Sequence, residues 1–214
     1  MHIPDGFLDS KMIAASFAVS IPLVGVAVAK TKKVFDDRQI PKMSVMAAFI
    51  FAAQMVNFPV FVIPGVSGHL LGATLAAIML GPWSAMLIMT TVLIIQSLFF
   101  LDGGLTALGG NILLMGIVAP WVGWTVYNLI AGKSSVRPRV LGATFAAAWV
   151  STVASAVTFS FLISLSGHIS LGLVLPAMSG IHALIGIGEG LITSVVLAYL
   201  TQVKSELVFQ NQKA

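Results

Sequence analysis

The chain contains no cysteine, which removes both a disulfide framework and a thiolate metal site and leaves its redox compartment unreadable. Charge is scarce: Asp, Glu, Lys and Arg together make up 8% of 214 residues. No His-Glu-x-x-His occurs, so a zinc-protease helix is excluded. Gly132-Lys133-Ser134 approximates the end of a phosphate-binding loop, but Tyr127 stands where the first glycine belongs and no strand precedes it. The chain therefore carries no nucleotide motor of its own. Low-complexity tracts and clear internal repeats are absent. A cleavable leader is not expected, because the start lacks a basic region and the first apolar run lacks a small-residue cleavage site.

What is present is apolar surface. Hydrophobic residues are 58% of the chain and the mean hydropathy is +1.03, a composition that indicates a polytopic membrane protein forming one unit over residues 1–214. Seven apolar segments can be drawn, at Met12–Ala29, Met43–Asn57, His69–Leu80, Trp83–Leu101, Thr106–Ala131, Val140–Leu165 and Pro176–Gln202. The expected fold is all-α with seven transmembrane helices. The third segment is too short to cross perpendicular to the bilayer and is expected to tilt or to pack inside the bundle.

A formal charge of +4 suggests nucleic acid in a soluble protein, but in a membrane protein the placement of the charges is what matters. Lys30, Lys32, Lys33, Arg38, Lys42, Lys133, Arg137, Arg139, Lys204 and Lys213 fall on one side of the seven segments and Lys11 alone on the other. By the positive-inside rule the N-terminus is outside, the C-terminus is cytoplasmic, and the partner is the lipid bilayer rather than nucleic acid. His2, Asp5, Asp9, Asn57, His69, Asp102 and His168 then share the external face.

That grouping gives meaning to the first residues, Met1-His2-Ile3-Pro4-Asp5-Gly6-Phe7-Leu8. A free terminus followed by His2 offers a metal the Met1 amine, the deprotonated His2 amide and the His2 Nδ1, closing a five- and a six-membered ring. A distant imidazole on the same face, His69, completes four nitrogens, a set suited to planar Ni(II) or Cu(II). Pro4 fixes its own φ and biases Ile3 toward extended backbone. The bulky His2 is expected to protect Met1 from removal. The alternative is an ordinary loose terminus.

Other features are read beside this one. His69 follows the Gly65-Val66-Ser67-Gly68 turn and is expected to open a helix, with free amides nearby. Asp102-Gly103-Gly104 through Gly109-Gly110-Asn111 is glycine-dense, which reads as an external hairpin lining a site, with Asp102 and Asn111 supporting the ligands. His182 and Glu189, seven apart, share a face of the last span. Glu189 must face the bundle interior or a partner, and His182 is placed to orient a ligand imidazole. Ala48 and Ala52 form a small-xxx-small pair fit for helix docking, or for internal packing.

These stretches, with Asn57-Phe58-Pro59, Ser67-Gly68-His69 and the run from His182 to Glu189, resemble the CbiM/NikM family over essentially the whole chain. Its members are the substrate-capture (S) components of energy-coupling-factor importers for cobalt and nickel. The resemblance implies a seven-helix bundle plugged by its N-terminal loop, in the cytoplasmic (inner) membrane of a prokaryote. It implies Ni(II) or Co(II) as transported substrate, held by Met1, His2 and His69; Asn57, Ser67, Asp102, Asn111 and His182 are the candidates to support these ligands. It further implies a transmembrane coupling (T) subunit docked through Ala48 and Ala52, two cytoplasmic ATPases, and a small accessory membrane subunit. On this reading the chain is not an enzyme.

Two rivals belong to other classes. Gly65-Val66-Ser67-Gly68 resembles the serine motif of rhomboid intramembrane proteases, with His182 as base. That reading gives Met1–Leu8 and His69 no task. A passive channel needs weak or multi-site binding, which a four-nitrogen chelate does not provide.

Overall fold

Backbone that crosses lipid must satisfy its own N–H and C=O groups, and long apolar runs do so as helices. The computed structural model describes residues 1–32, 39–59, 67–132, 134 and 136–203, without the side chains of residues 58, 59, 67 and 203. Its helices are α1 (Ser10–Lys32), α2 (Gln39–Met55), α3 (Ala73–Leu80), α4 (Pro82–Phe99), α5 (Leu108–Asn111), α6 (Ala119–Ala131), α7 (Arg137–Leu165) and α8 (Leu171–Val203). A π-helical stretch, Ile112–Val118, joins α5 to α6 into one rod. The one extended pairing among the described residues is an antiparallel bridge of β1 (Phe58–Pro59) with β2 (Ser67–Gly68), Phe58 opposite Gly68.

Five rods are long and apolar enough to cross a membrane: residues 10–32, 82–99, 108–131, 137–165 and 171–202. The second and third apolar segments of the sequence become α2, of 17 residues, and α3, of eight. Every residue of α3 is buried, so the short segment does pack inside protein. Where α3 starts differs from expectation. His69 does not open it; residues 69–72 are non-helical and the helix begins at Ala73. The reason is Gly72, whose φ of +72° turns the chain immediately before the helix. A side chain there would be strained, and its Cβ would stand 2.8 Å from Ile50 Cγ1. Gly81, at φ +82°, ends α3, and Pro82 at the first turn of α4 restarts the chain where its missing N–H is harmless.

The long antiparallel pair α7 and α8 packs through small residues. A Cβ on Gly190 would stand 2.6 Å from the Phe145 ring, and one on Gly186 would stand 3.0 Å from Trp149. Trp149 Nε1 donates to the Ala183 carbonyl at 2.9 Å, crossing the same seam. In the rod, the Ala119 amide reaches back to the Leu114 carbonyl, the wide-turn bond of a π-helix. Serines of α7 supply further donors to this region: Ser155 Oγ donates to Leu114 O at 3.0 Å and Ser151 Oγ to Ala119 O at 2.9 Å. The glycine-dense 102–111 stretch is only half a hairpin, since its last four residues are helical and lead into the rod.

Candidate metal centre

The N-terminal segment is not loose. Met1, His2 and Ile3 are buried at 1%, 3% and 0% exposure. Ile3 is clasped like a strand residue without a strand partner. Its N–H donates to Asn111 Oδ1 at 2.7 Å, and its carbonyl accepts from Asn111 Nδ2 at 3.0 Å and from the Gly104 amide at 2.9 Å. Two residues on, the Asp5 carboxylate accepts from the amides of Leu105 (3.2 Å) and Thr106 (2.8 Å). The glycines explain how the segment comes so close. A Cβ on Gly104 would collide with the Asp5 backbone, and one on Gly110 would stand 3.1 Å from Leu8 Cδ1. Asp9 then caps α1, its Oδ1 accepting from the Met12 amide at 2.9 Å.

This seating brings the His2 ring against His69, centroids 4.6 Å apart and planes 27° apart. His2 Nε2 lies 3.1 Å from Gln96 Oε1. His2 Nδ1 is 3.0 Å from Asp102 Oδ1 but lacks the alignment of a hydrogen bond, and is left buried without a hydrogen-bond partner. His69 Nδ1 donates to the Leu70 carbonyl at 2.8 Å, which leaves its Nε2 with a lone pair and, again, no partner. His182 Nε2 and Asp102 Oδ2 are in the same condition. Buried polar atoms are normally paired. Orphaned imidazole nitrogens at one end of the bundle are what a site for a cation with nitrogen preference requires.

The electrostatics agree. Burial pushes the Met1 amine down from 8.0 to about 4, opposed by the Asp102 charge. Burial also lowers His2, against the contacts of Asp102 and Gln96 that favour its cation. Burial alone would raise Asp102; its contact with His2 outweighs that and holds it low. The amine is thus neutral near pH 7 and His2 is shifted in the same direction, toward the state in which nitrogen binds metal. Among the described residues no three His, Cys, Asp or Glu side chains cluster as a metal site; the amine and main-chain nitrogen are the further donors at hand. The two rings lie face to face, so joint coordination needs one of them to turn.

Met1, His2 and His69 therefore come together, and Asp102 and Asn111 stand beside them, Asn111 acting on Ile3 rather than on an imidazole. His182 is fully buried, and its Nδ1 donates to Met178 O of its own helix at 2.9 Å. That bond leaves Nδ1 unavailable to orient another ring. Asn57 is exposed beyond the end of α2, and among the described contacts none joins it to His2 or His69. The Ser67 side chain lies outside the described residues. Ala48 and Ala52 are exposed on α2 beside Phe49 and Val45. His168 packs near Phe7, ring centroids 6.4 Å apart.

Two residues had no place in the sequence reading. Gln96 and Gln54 are both completely buried, Gln96 Nε2 donating to Gln54 Oε1 at 2.9 Å and Gln54 Nε2 to Leu71 O at 2.8 Å. The signal was available: an amide inside an apolar span must find a partner. Glu189, which needed a partner, receives two backbone donors, the Leu71 amide at 2.8 Å and the Gly72 amide at 2.7 Å.

Residues 2–207 match a family model described as the CbiM cobalt uptake substrate-specific transmembrane region. A protein of Haloquadratum walsbyi, provisionally named a metal transport protein, is 37% identical over 212 residues, covering 98% of this chain and 94% of the relative. The fused nickel transport protein NikMN of Rhodobacter capsulatus is 34% identical over 224 residues, covering 97% of this chain and 64% of the relative. A crystal structure described as a transition metal transporter superposes with a TM-score of 0.88 at 34% identity, covering 96% of this chain and 95% of that one.

Proposed function

The chain belongs to the CbiM family of cobalt-uptake substrate-specific transmembrane proteins, and from that premise we propose that it captures Ni(II) or Co(II) for an ATP-driven importer. Its role as a multi-pass component of cobalt or nickel transport follows from the family; the capture chemistry and the assembly are our reading. The observation that carries it is the buried N-terminus, which seats Met1 and His2 against His69. The ligands are the Met1 amine, the His2 amide and Nδ1, and His69 Nε2.

Residues 1–214 form one unit that crosses the cytoplasmic membrane of a prokaryote seven times. The crossings are α1, α2, the 67–80 segment ending in α3, α4, the α5–α6 rod, α7 and α8. The N-terminus is outside and the basic connections are inside. Metal arrives from outside and exchanges its water for four nitrogens, three of which offer a free lone pair while the His2 amide gives up its proton. Asp102, beside His2 and only partly buried, attracts the arriving cation. A transmembrane coupling subunit docks on the exposed Ala48 and Ala52 face of α2. Two cytoplasmic ATPases supply the work that breaks the chelate, and a small accessory membrane subunit completes the importer.

Nickel is favoured over cobalt because nitrogen affinity rises from Co to Ni, and a planar four-nitrogen field suits Ni(II). Cobalt is the alternative cargo, favoured by the family description. The test is calorimetry with Ni(II) and Co(II) on protein bearing its own Met1 and on protein extended by one residue. Extension turns the amine into an amide and should abolish tight binding of both. Equal affinity for the two forms would rule out the N-terminal chelate, and preferential Co(II) binding would reverse the metal assignment.

A further inference from the structure

Chelation by His2 uses one ring nitrogen only. The amine and the amide of residues 1 and 2 can close small rings with Nδ1 and not with Nε2, so the neutral imidazole must carry its proton on Nε2. Two neighbours pull that proton in opposite directions. Asp102 Oδ1, 3.0 Å from Nδ1, favours the tautomer protonated at Nδ1, which blocks the chelating atom. Gln96 Oε1, 3.1 Å from Nε2, favours the tautomer that leaves Nδ1 free. Gln96 does so only if its amide presents oxygen rather than nitrogen to the ring.

The structure shows what turns that amide. A backbone carbonyl can only accept, and the Leu71 carbonyl faces Gln54, which must therefore present its Nε2. Gln54 is then left with its oxygen toward Gln96, so Gln96 must present its own Nε2 there and its oxygen to His2. The Leu71 peptide is itself held, because its amide and that of Gly72 both donate to Glu189. One residue earlier, the Leu70 carbonyl takes the Nδ1 proton of His69 and frees its Nε2. Two consecutive carbonyls thus face both imidazoles, one directly and one through two glutamines.

We infer that Gln96 and Gln54 are positioning residues that select the Nε2-protonated tautomer of His2, orienting it from the fixed Leu71 carbonyl against the competing pull of Asp102. Outer partners of this kind orient a metal-binding imidazole and set its basicity. The inference rests on the N-terminal chelate proposed above for its purpose, but not for its measurement, since tautomers are read without metal. Gln54 makes the sharper claim, because it acts on a ring it does not touch.

The experiment is NMR of the full-length chain, metal-free in lipid nanodiscs above neutral pH, with ¹⁵N in the histidine rings. With four histidines in the chain, the His2 pair is assigned by its loss in a His2→Ala control. Wild type should show His2 protonated at Nε2. Gln96→Leu should move the proton to Nδ1, and Gln54→Leu should do the same in part. Adding Asp102→Leu to Gln96→Leu should remove that bias, a rescue that a merely structural role would not produce. Gln96→Glu and Gln54→Glu keep an accepting oxygen in place and should keep the wild-type tautomer. Nickel affinity should fall about 10- to 100-fold in Gln96→Leu and recover in Gln96→Glu. A wild-type His2 protonated at Nδ1 overturns the inference even if no leucine variant folds. So does an unchanged tautomer in folded Gln96→Leu or Gln54→Leu. If the tautomers behave as stated while an extended N-terminus still binds nickel tightly, the chelate fails and the positioning role stands.

Discussion

Asn111→Ala isolates the forces that seat the N-terminal segment, because the hydrogen bonds described for Asn111 go to Ile3 and not to a proposed ligand. It removes both bonds to Ile3, the 2.7 Å acceptance from the amide and the 3.0 Å donation to the carbonyl. The Ile3 carbonyl keeps the Gly104 amide at 2.9 Å, whereas the Ile3 N–H, on a fully buried residue, loses its acceptor. One lost bond is worth about 1 kcal/mol net and an orphaned buried donor costs about 1–3 kcal/mol. Seating should therefore weaken by about 2–4 kcal/mol, or roughly 30- to several hundred-fold in population. How much of this appears in nickel affinity depends on how far seating already dominates, since apparent Kd rises only as the competent fraction falls. Two readings close that gap. Calorimetry gives the apparent Kd for Ni(II), and an amine-reactive reagent followed by mass spectrometry of the N-terminal peptide gives the exposure of the Met1 amine without metal. The variant should bind more weakly, label faster, or both. If affinity stays within about twofold and labelling is unchanged, the Asn111 clasp does not hold the segment.

Gly104→Ala puts a methyl group into the Asp5 backbone; faster amine labelling at unchanged helix content by circular dichroism is expected, and an unaltered labelling rate would contradict the close approach. His69→Ala should lower nickel affinity far more than His168→Ala, since the ring contact described for His168 is with Phe7 and not with His2; similar losses in calorimetry would remove His69 from the ligand set. The pH dependence has a definite sign. A free end takes up its proton as pH falls through 8.0, while the seated amine resists until about 4, so seating is fully favoured above pH 8. Between those values it should weaken by about tenfold per pH unit, read as hydrogen exchange at the Ile3 amide of metal-free protein after correction for the intrinsic pH dependence of exchange, and a flat profile from pH 8 to 5 would refute the buried neutral amine.

The residues proposed as ligands could be singled out in the sequence because their chemistry is local. A free amine beside His2 suggests a chelate within two residues, and the distribution of basic residues groups His69 with it, a pair the structure brings to 4.6 Å between ring centroids. What lay beyond reading depended on contacts across the fold. Asn111 could be guessed to matter, but its pairing with the Ile3 backbone spans 108 positions. Gln54 and Gln96 lie 42 apart and carry no motif. His69 was misplaced at a helix start because the positive φ of Gly72, which halts α3, is a property of the chain's path and not of its pattern. Glu189 shows the limit most clearly. Its burial demands a partner, and a search among charged residues finds none, because the partners are two main-chain amides that every sequence possesses.

The π-helical stretch between α5 and α6 can be viewed as a matter of phase. An α-helix advances about 100° per residue, and a wide turn amounts to one residue more than an α-helical path of the same span requires. Residues on either side of Ile112–Val118 are therefore out of step by that angle. Below it, α6 meets α3 through Gly123, whose Cβ would lie 3.0 Å from Thr74 Cβ; above it, Asn111 points at Ile3. Both demands are met by one rod only because the rod slips a residue between them. Delete a single residue from the stretch and the two ends cannot both keep their bearings: with α6 locked to α3, Asn111 swings about 100° away from the chain it is there to hold.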